Sequence, residues 1–349
     1  MRATGNSFEQ EHLPRWRRRA RTYAPFLLWV AIALTAWLAI LGIGWGRFGL
    51  TLWSDAAEHW VLALAMALGS YIAGSTPMGG GTVGFPVLVL AFGEPADLGR
   101  HFSMCIQAVG MTSAAIFICC GRKPVEWRLL LIAIGAALPV IPVASVWLVP
   151  LVSDPLVKLV FAVTWGGFGL MTLFRAHALL KEHDRTRFGL RLDLPVGVAV
   201  GVSGGISTAL TGVGIDMLIF VALVLVYRRD VRDAVATSVI AMAACSLIGV
   251  VSVTWLGRLD TEVFHRWLAA APVVLFGAPL GALAVHLLPR LGTMIFVGAL
   301  CLVQLVWALV NIDADPRTIA VVVLAVLAMN AAFIALHRLG GKLHALEPS

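Results

Sequence analysis

The sequence predicts an all-α polytopic membrane protein, with eight full transmembrane helices plus two re-entrant helical hairpins in an inverted repeat. Three observations carry this. Sixty per cent of the 349 residues are apolar and only 13% are charged, about half the charged share of an ordinary soluble domain. Eight uninterrupted apolar runs each approach the ~20 residues that cross a bilayer as a helix. Two further runs are broken by glycine, serine and threonine, and the distribution of Lys and Arg decides how the breaks are used.

Taken in order, residues 1–22 form a basic tail with six Arg against two Glu. Arg15, Arg17, Arg18, Arg19 and Arg21 directly precede the first apolar run, residues 23–43. Arginines beside a span mark its cytoplasmic flank, so the tail reads as a membrane anchor and not as a grip on nucleic acid. The run lacks a small-residue cleavage site and reads as a retained helix. The other full runs cover residues 102–120, 127–149, 156–174, 234–255, 267–288, 293–310 and 318–336, with Trp127, Trp147, Trp255 and Trp267 at interfacial ends. The expected organisation is an extra helix over 23–43, a first repeat over 60–178, a second over 195–311, an extra helix over 317–337 and a cytoplasmic tail over 338–349.

The first broken run interrupts residues 60–92 at Ser75-Thr76-Pro77-Met78-Gly79-Gly80-Gly81-Thr82; the second interrupts 196–227 between Ser203 and Gly214. At 1.5 Å per residue the ten residues after Thr82 reach only about 15 Å, half of the hydrocarbon core. Each is therefore a broken span or a hairpin returning to its own side. With two hairpins, the inner segments hold 20 Lys and Arg and the outer ones five. With two crossings the tally is 13 against 12. The positive-inside rule selects hairpins, which places both termini in the cytoplasm, in a cytoplasmic (inner) membrane. A hairpin plus three crossings is an odd number, so the second copy enters from the opposite face. Aligned by eye, Gly79-Gly80-Gly81 stands opposite Gly212-Val213-Gly214, and after one gap residues 102–106 stand opposite 236–240, which puts Val83 opposite Asp216.

Irregular backbone is tolerated at membrane depth only where protein buries it or water bathes it. Two such breaks, one from each face, are expected to meet near the midplane. The half-helices starting near Thr82 and Ile215 then point free N–H groups and a partial positive charge at the junction, which favours an anion. The candidate ligands are the backbone of Gly79, Gly80, Gly81, Gly212 and Gly214 and the hydroxyls of Ser75, Thr76, Thr82, Ser203, Ser207, Thr208 and Thr211. Ser103 with Gln107, and Thr237 with Ser238, lie about one turn into the helices that follow and can face the same cavity. Any one of these alone is accounted for by close helix packing; two matched breaks are not.

Asp216, two residues past Gly214, is costly to ionise in an apolar half-helix and is the candidate proton carrier that offsets the anion's charge. It also fits a plain carboxylate favoured by the first turn of a helix. Lys158 is expected to snorkel outward, Arg100 and His101 to sit in a solvated loop, and His286 to be interfacial. The five cysteines lie in apolar stretches without C-x-x-C, no H-x-x-x-H occurs and no phosphate-binding glycine loop opens a soluble unit. No cofactor or metal and no ATP hydrolysis are expected. The expected partners are a small anion, protons and the lipid bilayer.

With these residues in view, the sequence resembles the sulfite exporter family TauE/SafE over roughly residues 60–311. The resemblance is carried by residues 74–86, Gly-Ser-Thr-Pro-Met-Gly-Gly-Gly-Thr-Val-Gly-Phe-Pro, and in the second repeat by Gly212-Val213-Gly214 and Ala234-Val235-Ala236-Thr237-Ser238. It implies movement of sulfite, sulfonates or related anions across the cytoplasmic membrane, in the export direction. Two departures stand out: Ile215-Asp216 where the family often has a third glycine and a small residue, and Ile219 where a proline like Pro86 is expected. A passive anion channel is the near alternative. An intramembrane serine protease, built on Gly201-Val202-Ser203-Gly204 and His286, is the remote one.

Overall fold

The computed structural model describes residues 21–47, 59–181, 190–285, 287 and 289–346. Among them every regular element is helical, as an apolar chain in lipid requires when each backbone group must be satisfied within its own segment. The long helices are α1 (Ala24–Arg47), α2 (Trp60–Ser75), α4 (Ala96–Cys120), α5 (Trp127–Trp147), α6 (Asp154–Lys181), α7 (Leu190–Thr211), α9 (Val231–Trp255), α10 (Thr261–Ala284), α11 (Arg290–Asn311) and α12 (Pro316–Leu346). Two short helices complete the order, α3 (Gly81–Pro86) and α8 (Ile215–Val221), each continued by a π-helical turn, Val87–Ala91 and Ala222–Val226. The Arg15, Arg17, Arg18 and Arg19 tail and His286 lie outside the described residues.

Nine of the described helices are long and apolar enough to cross a membrane, one more than the sequence reading gives. The ninth is α7, the first arm of the second broken run. It starts six residues ahead of the apolar segment because the buried Asp193 is satisfied there, accepting from the Tyr227 hydroxyl at 2.9 Å and facing Arg128 at 3.4 Å. A second difference concerns Arg100 and His101. The sequence places them in a solvated loop, but α4 begins at Ala96, capped by the Asp154 carboxylate on the Ala96 N–H at 3.0 Å. Both side chains are 7% exposed.

Both broken runs double back on themselves. In the first, a Cβ added to Gly69 meets Val83 and one on Gly84 meets Phe102 and the Met66 sulfur. In the second, Gly204 lies against Ile215, Ser207 against Gly214, and Asp193 at one end against Tyr227 at the other. Gly212 and Gly214 turn the chain at φ of 80° and 129°, values that L side chains rarely adopt.

One spacing relates the two halves. Thr76 matches Thr211, Gly79 matches Gly214, Phe85 matches Phe220, the two π-helical turns match, and 25-residue α4 matches 25-residue α9. The register differs from the one expected from sequence: Gly79 and not Gly81 stands opposite Gly214, Ser103 stands opposite Ser238, and Asp216 answers Gly81 instead of Val83. The physical reason is that both breaks hold the same number of residues before equivalent π-helical closures, Phe92 N–H to Val87 C=O and Tyr227 N–H to Ala222 C=O. No gap is needed.

Packing crosses between the halves. Gly74 and Gly281 let α2 approach α10, and Gly197, Gly201 and Gly205 let α7 approach α5, the close backbone contact that small residues permit in lipid. An aromatic row on α6, Phe161, Trp165 and Phe168, links Phe85 of one half-helix to Phe220 of the other, with successive ring centroids 4.8 to 6.2 Å apart. This buried row holds the two breaks at a fixed separation.

Candidate functional site

The breaks meet through one side chain. The Asp216 carboxylate accepts the Gly79 N–H of the first break on one oxygen and the Gly214 N–H of the second on the other, at 3.1 Å for the latter. Asp216 is 1% exposed. It sits where a helix start offers amide donors and a favourable dipole for a negative charge. The expectation of bare amides therefore changes at these two positions: the protein supplies its own anion to them.

Gln107 ties α4 to the same junction, its amide nitrogen donating to Gly212 C=O at 2.9 Å and Ser103 C=O at 2.8 Å. Its oxygen has no hydrogen-bond partner and lies against the Gly79 Cα side. Ser103 and Thr208 likewise keep buried hydroxyls without a partner. With Gln304 Oε1 these are the buried polar atoms left open around the breaks, where most such groups in folded proteins are satisfied.

The glycines differ in what they permit. A Cβ on Gly79 comes within 2.8 Å of the Asp216 carboxylate and strikes the Gln107 oxygen; on Gly81 it meets Gln107 nitrogen at 2.7 Å and Ser103 at 2.8 Å. On Gly80 nothing lies nearer than 3.6 Å, which is ordinary contact. Gly79 and Gly81 are thus needed for close approach, and Gly80 is not.

Most of the remaining hydroxyls turn to the backbone. Ser75 donates to Tyr71 C=O, Thr76 to Ile72 C=O, Thr82 to Gly79 C=O, Ser207 to Val213 C=O, Thr211 to Ser207 and Val213 C=O, and Ser238 to Val235 C=O. They shape and cap the breaks, as such side chains do wherever backbone groups are loose. Thr237 donates to Asp233 C=O and accepts from Glu126 N–H at 3.2 Å, away from the junction. Ser203 is exposed on the outer face of α7 and bonds Ala199 C=O; it is not brought to the site.

One residue of the site escapes sequence reasoning. Gln304 on α11, 4% exposed, donates to Thr82 C=O at 2.8 Å and steadies the first half-helix. The signal for it was only an amide inside an apolar span. A narrow cavity of about 20 Å³, room for about one water molecule, reaches the first break between Ser75, Pro77, Phe220, Arg232, Val235 and Thr293.

Among known proteins, the family described as Sulfite exporter TauE/SafE matches residues 61–307. No curated protein and no solved structure matches. The match spans both doubled-back segments and the helices between them, and leaves α1, α12 and the last residues of α11 outside. On this extent of agreement the chain belongs to the sulfite exporter TauE/SafE family of membrane transporters.

Proposed function

We propose that this protein moves a small sulfur oxyanion or organosulfonate across the cytoplasmic membrane, with sulfite as the first candidate, by alternating access coupled to protons. The two doubled-back segments enter the bilayer as re-entrant hairpins from opposite faces, within inverted repeats that rock about the Asp216 junction. Both termini are cytoplasmic, so the cavity beside Arg232 and Thr293 opens inward.

The observation that carries the proposal is the single carboxylate shared by the two breaks. Ionised, Asp216 holds the Gly79 and Gly214 amides and repels a second anion. Protonated, it keeps one oxygen as acceptor and turns the other into an O–H donor, which releases an amide N–H to donate to an oxygen of the substrate. Proton and monoanion thus occupy the site together and cross as a neutral pair. Ser103, Gln107 and Thr208 hold the open polar atoms beside the freed amide.

The direction of net flux follows from this stoichiometry. A neutral pair is indifferent to the membrane potential and responds to the pH difference, each pH unit balancing about a tenfold anion ratio. Export runs whenever the cytosolic anion exceeds that ratio, as it does when sulfite is generated inside.

The test is uptake into proteoliposomes offered sulfite, sulfate, taurine-like sulfonates and carboxylates under an imposed pH gradient. The expected result is saturable sulfite or sulfonate flux that quickens when the anion side is made acid. No flux of any of these above protein-free liposomes refutes the transport reading; flux of equal rate at all gradients refutes the coupling.

A further inference from the structure

Arg100 is a largely covered arginine whose guanidinium touches no carboxylate among the described residues. It is 7% exposed on the first turns of α4, and among the described residues it makes no ion pair and no hydrogen bond. Protein covers most of the side chain, and its guanidinium nitrogens are not sealed off from the surface, as for a long side chain near a helix end. Charged side chains kept within a membrane protein mark substrate and ion pathways.

Two carboxylates lie close enough to favour its charge without touching it. Asp97 accepts the Leu98 N–H at 2.8 Å and Asp154 accepts the Ala96 N–H at 3.0 Å, so both cap the start of α4. Arg258 faces the same region and donates to Ser145 C=O at 2.8 Å. His101 and Asp260 complete the surroundings.

Its position is specific as well. Arg100, Ser103 and Gln107 follow the helical spacing that puts residues on one face, and that face meets the second break: the Arg100 carbonyl and the Ser103 Cβ both crowd Gly212 Cα. Ser103 Oγ and Gln107 Oε1 on this stripe are two of the unpartnered atoms of the site. The equivalent stripe of α9 reads Val235, Ser238 and Met242, so the charge exists on one half alone.

We propose that Arg100 is the outer anion-binding residue: its guanidinium takes a small oxyanion in a two-point contact and passes it along Ser103 and Gln107 to the amides freed by Asp216. This rests on the transport reading above and adds to it a charge, a side and a path. A planar fork suits two oxygens of sulfite or a sulfonate, which an ammonium on the same helix matches less well.

The experiment measures KM for radiolabelled sulfite in right-side-out and inside-out membrane vesicles holding the full-length protein. Arg100→Gln is expected to raise KM at least tenfold from the outer face and less than twofold from the inner face, where Val235 takes the equivalent place. Arg100→Lys is expected to fall between Arg100→Gln and the wild type on the outer face. A shift of equal size on both faces would mark a structural role and overturn the proposal, as would an unchanged outer KM. If Arg100→Gln fails to reach the membrane, the wild type answers: sulfite added outside is expected to slow arginine modification by phenylglyoxal and the matching loss of transport, and no protection overturns the site. Absence of sulfite flux in the wild type itself overturns the transport reading and this site with it, which distinguishes the two failures.

Discussion

Asp216→Asn separates the two jobs of this side chain. The carboxylate accepts one amide on each oxygen; an asparagine has a single acceptor oxygen, and its NH₂ faces an N–H that it cannot accept. One of the two amides is left bare. An unsatisfied buried donor costs about 1–3 kcal/mol, offset in part by removal of a buried charge, so the variant should fold with a modestly loosened junction. The bare amide is also the group that the substrate is proposed to use, so binding survives. Asparagine carries no proton at any working pH. The expected result in proteoliposomes is gradient-driven sulfite uptake at the level of protein-free controls, with exchange of internal for external sulfite within about threefold of wild type, a change of under ~1 kcal/mol in barrier. Purified protein is first compared by gel filtration to verify the fold. Gradient-driven uptake at the wild-type rate would refute the coupling role; loss of exchange in a well-folded variant would show that the carboxylate itself forms part of the anion site.

The glycines give a sharper steric test, because Gly80→Ala should leave sulfite KM within about twofold while Gly79→Ala, forced against Asp216 and Gln107, should cut transport at least tenfold; equal effects from the two would refute the packing argument. In a background with Cys119 and Cys120 replaced by Ala, Pro95→Cys should react with an impermeant maleimide in intact cells and Pro124→Cys only after the membrane is opened. The reverse pattern would end the re-entrant layout. Tyr227 gives a pH test: burial first, and its bonded Asp193 second, push its phenol well above the ordinary tyrosine range. Its tie to Asp193 is then fully present below about pH 10 and lost at higher pH, where the unfolded chain gives up a proton that the folded chain keeps. In detergent, Tyr227→Phe should melt below wild type by a constant margin from about pH 6 to 9, with the margin narrowing above about 10; a margin that grows with alkalinity would contradict the assignment.

Much of the site was legible in one dimension because its cause is local. Glycine, serine and threonine crowded into an apolar run mark broken helix, and Asp216 two residues past Gly214 marks a carboxylate at a helix start. Other features were illegible because they depend on distant chain. Nothing near Ser203 signals that it faces outward on α7 while Ser207, one turn on, faces the break. Gln304 reaches Thr82 from a helix more than two hundred residues away, and Arg100 reads as a loop residue until Asp154 caps the helix that buries it.

The class of molecule, an all-helical membrane chain with two interrupted segments, was legible in hydropathy alone, because burial in lipid and the cost of unpaired backbone act on stretches of about twenty residues. The folded arrangement decides that the amides of both interruptions converge on one carboxylate, and that a guanidinium two turns along the same face of α4 touches no carboxylate. Those facts arise from contacts between residues far apart in the chain, fixed by glycine-lined helix crossings and the aromatic row of α6, which no local pattern encodes.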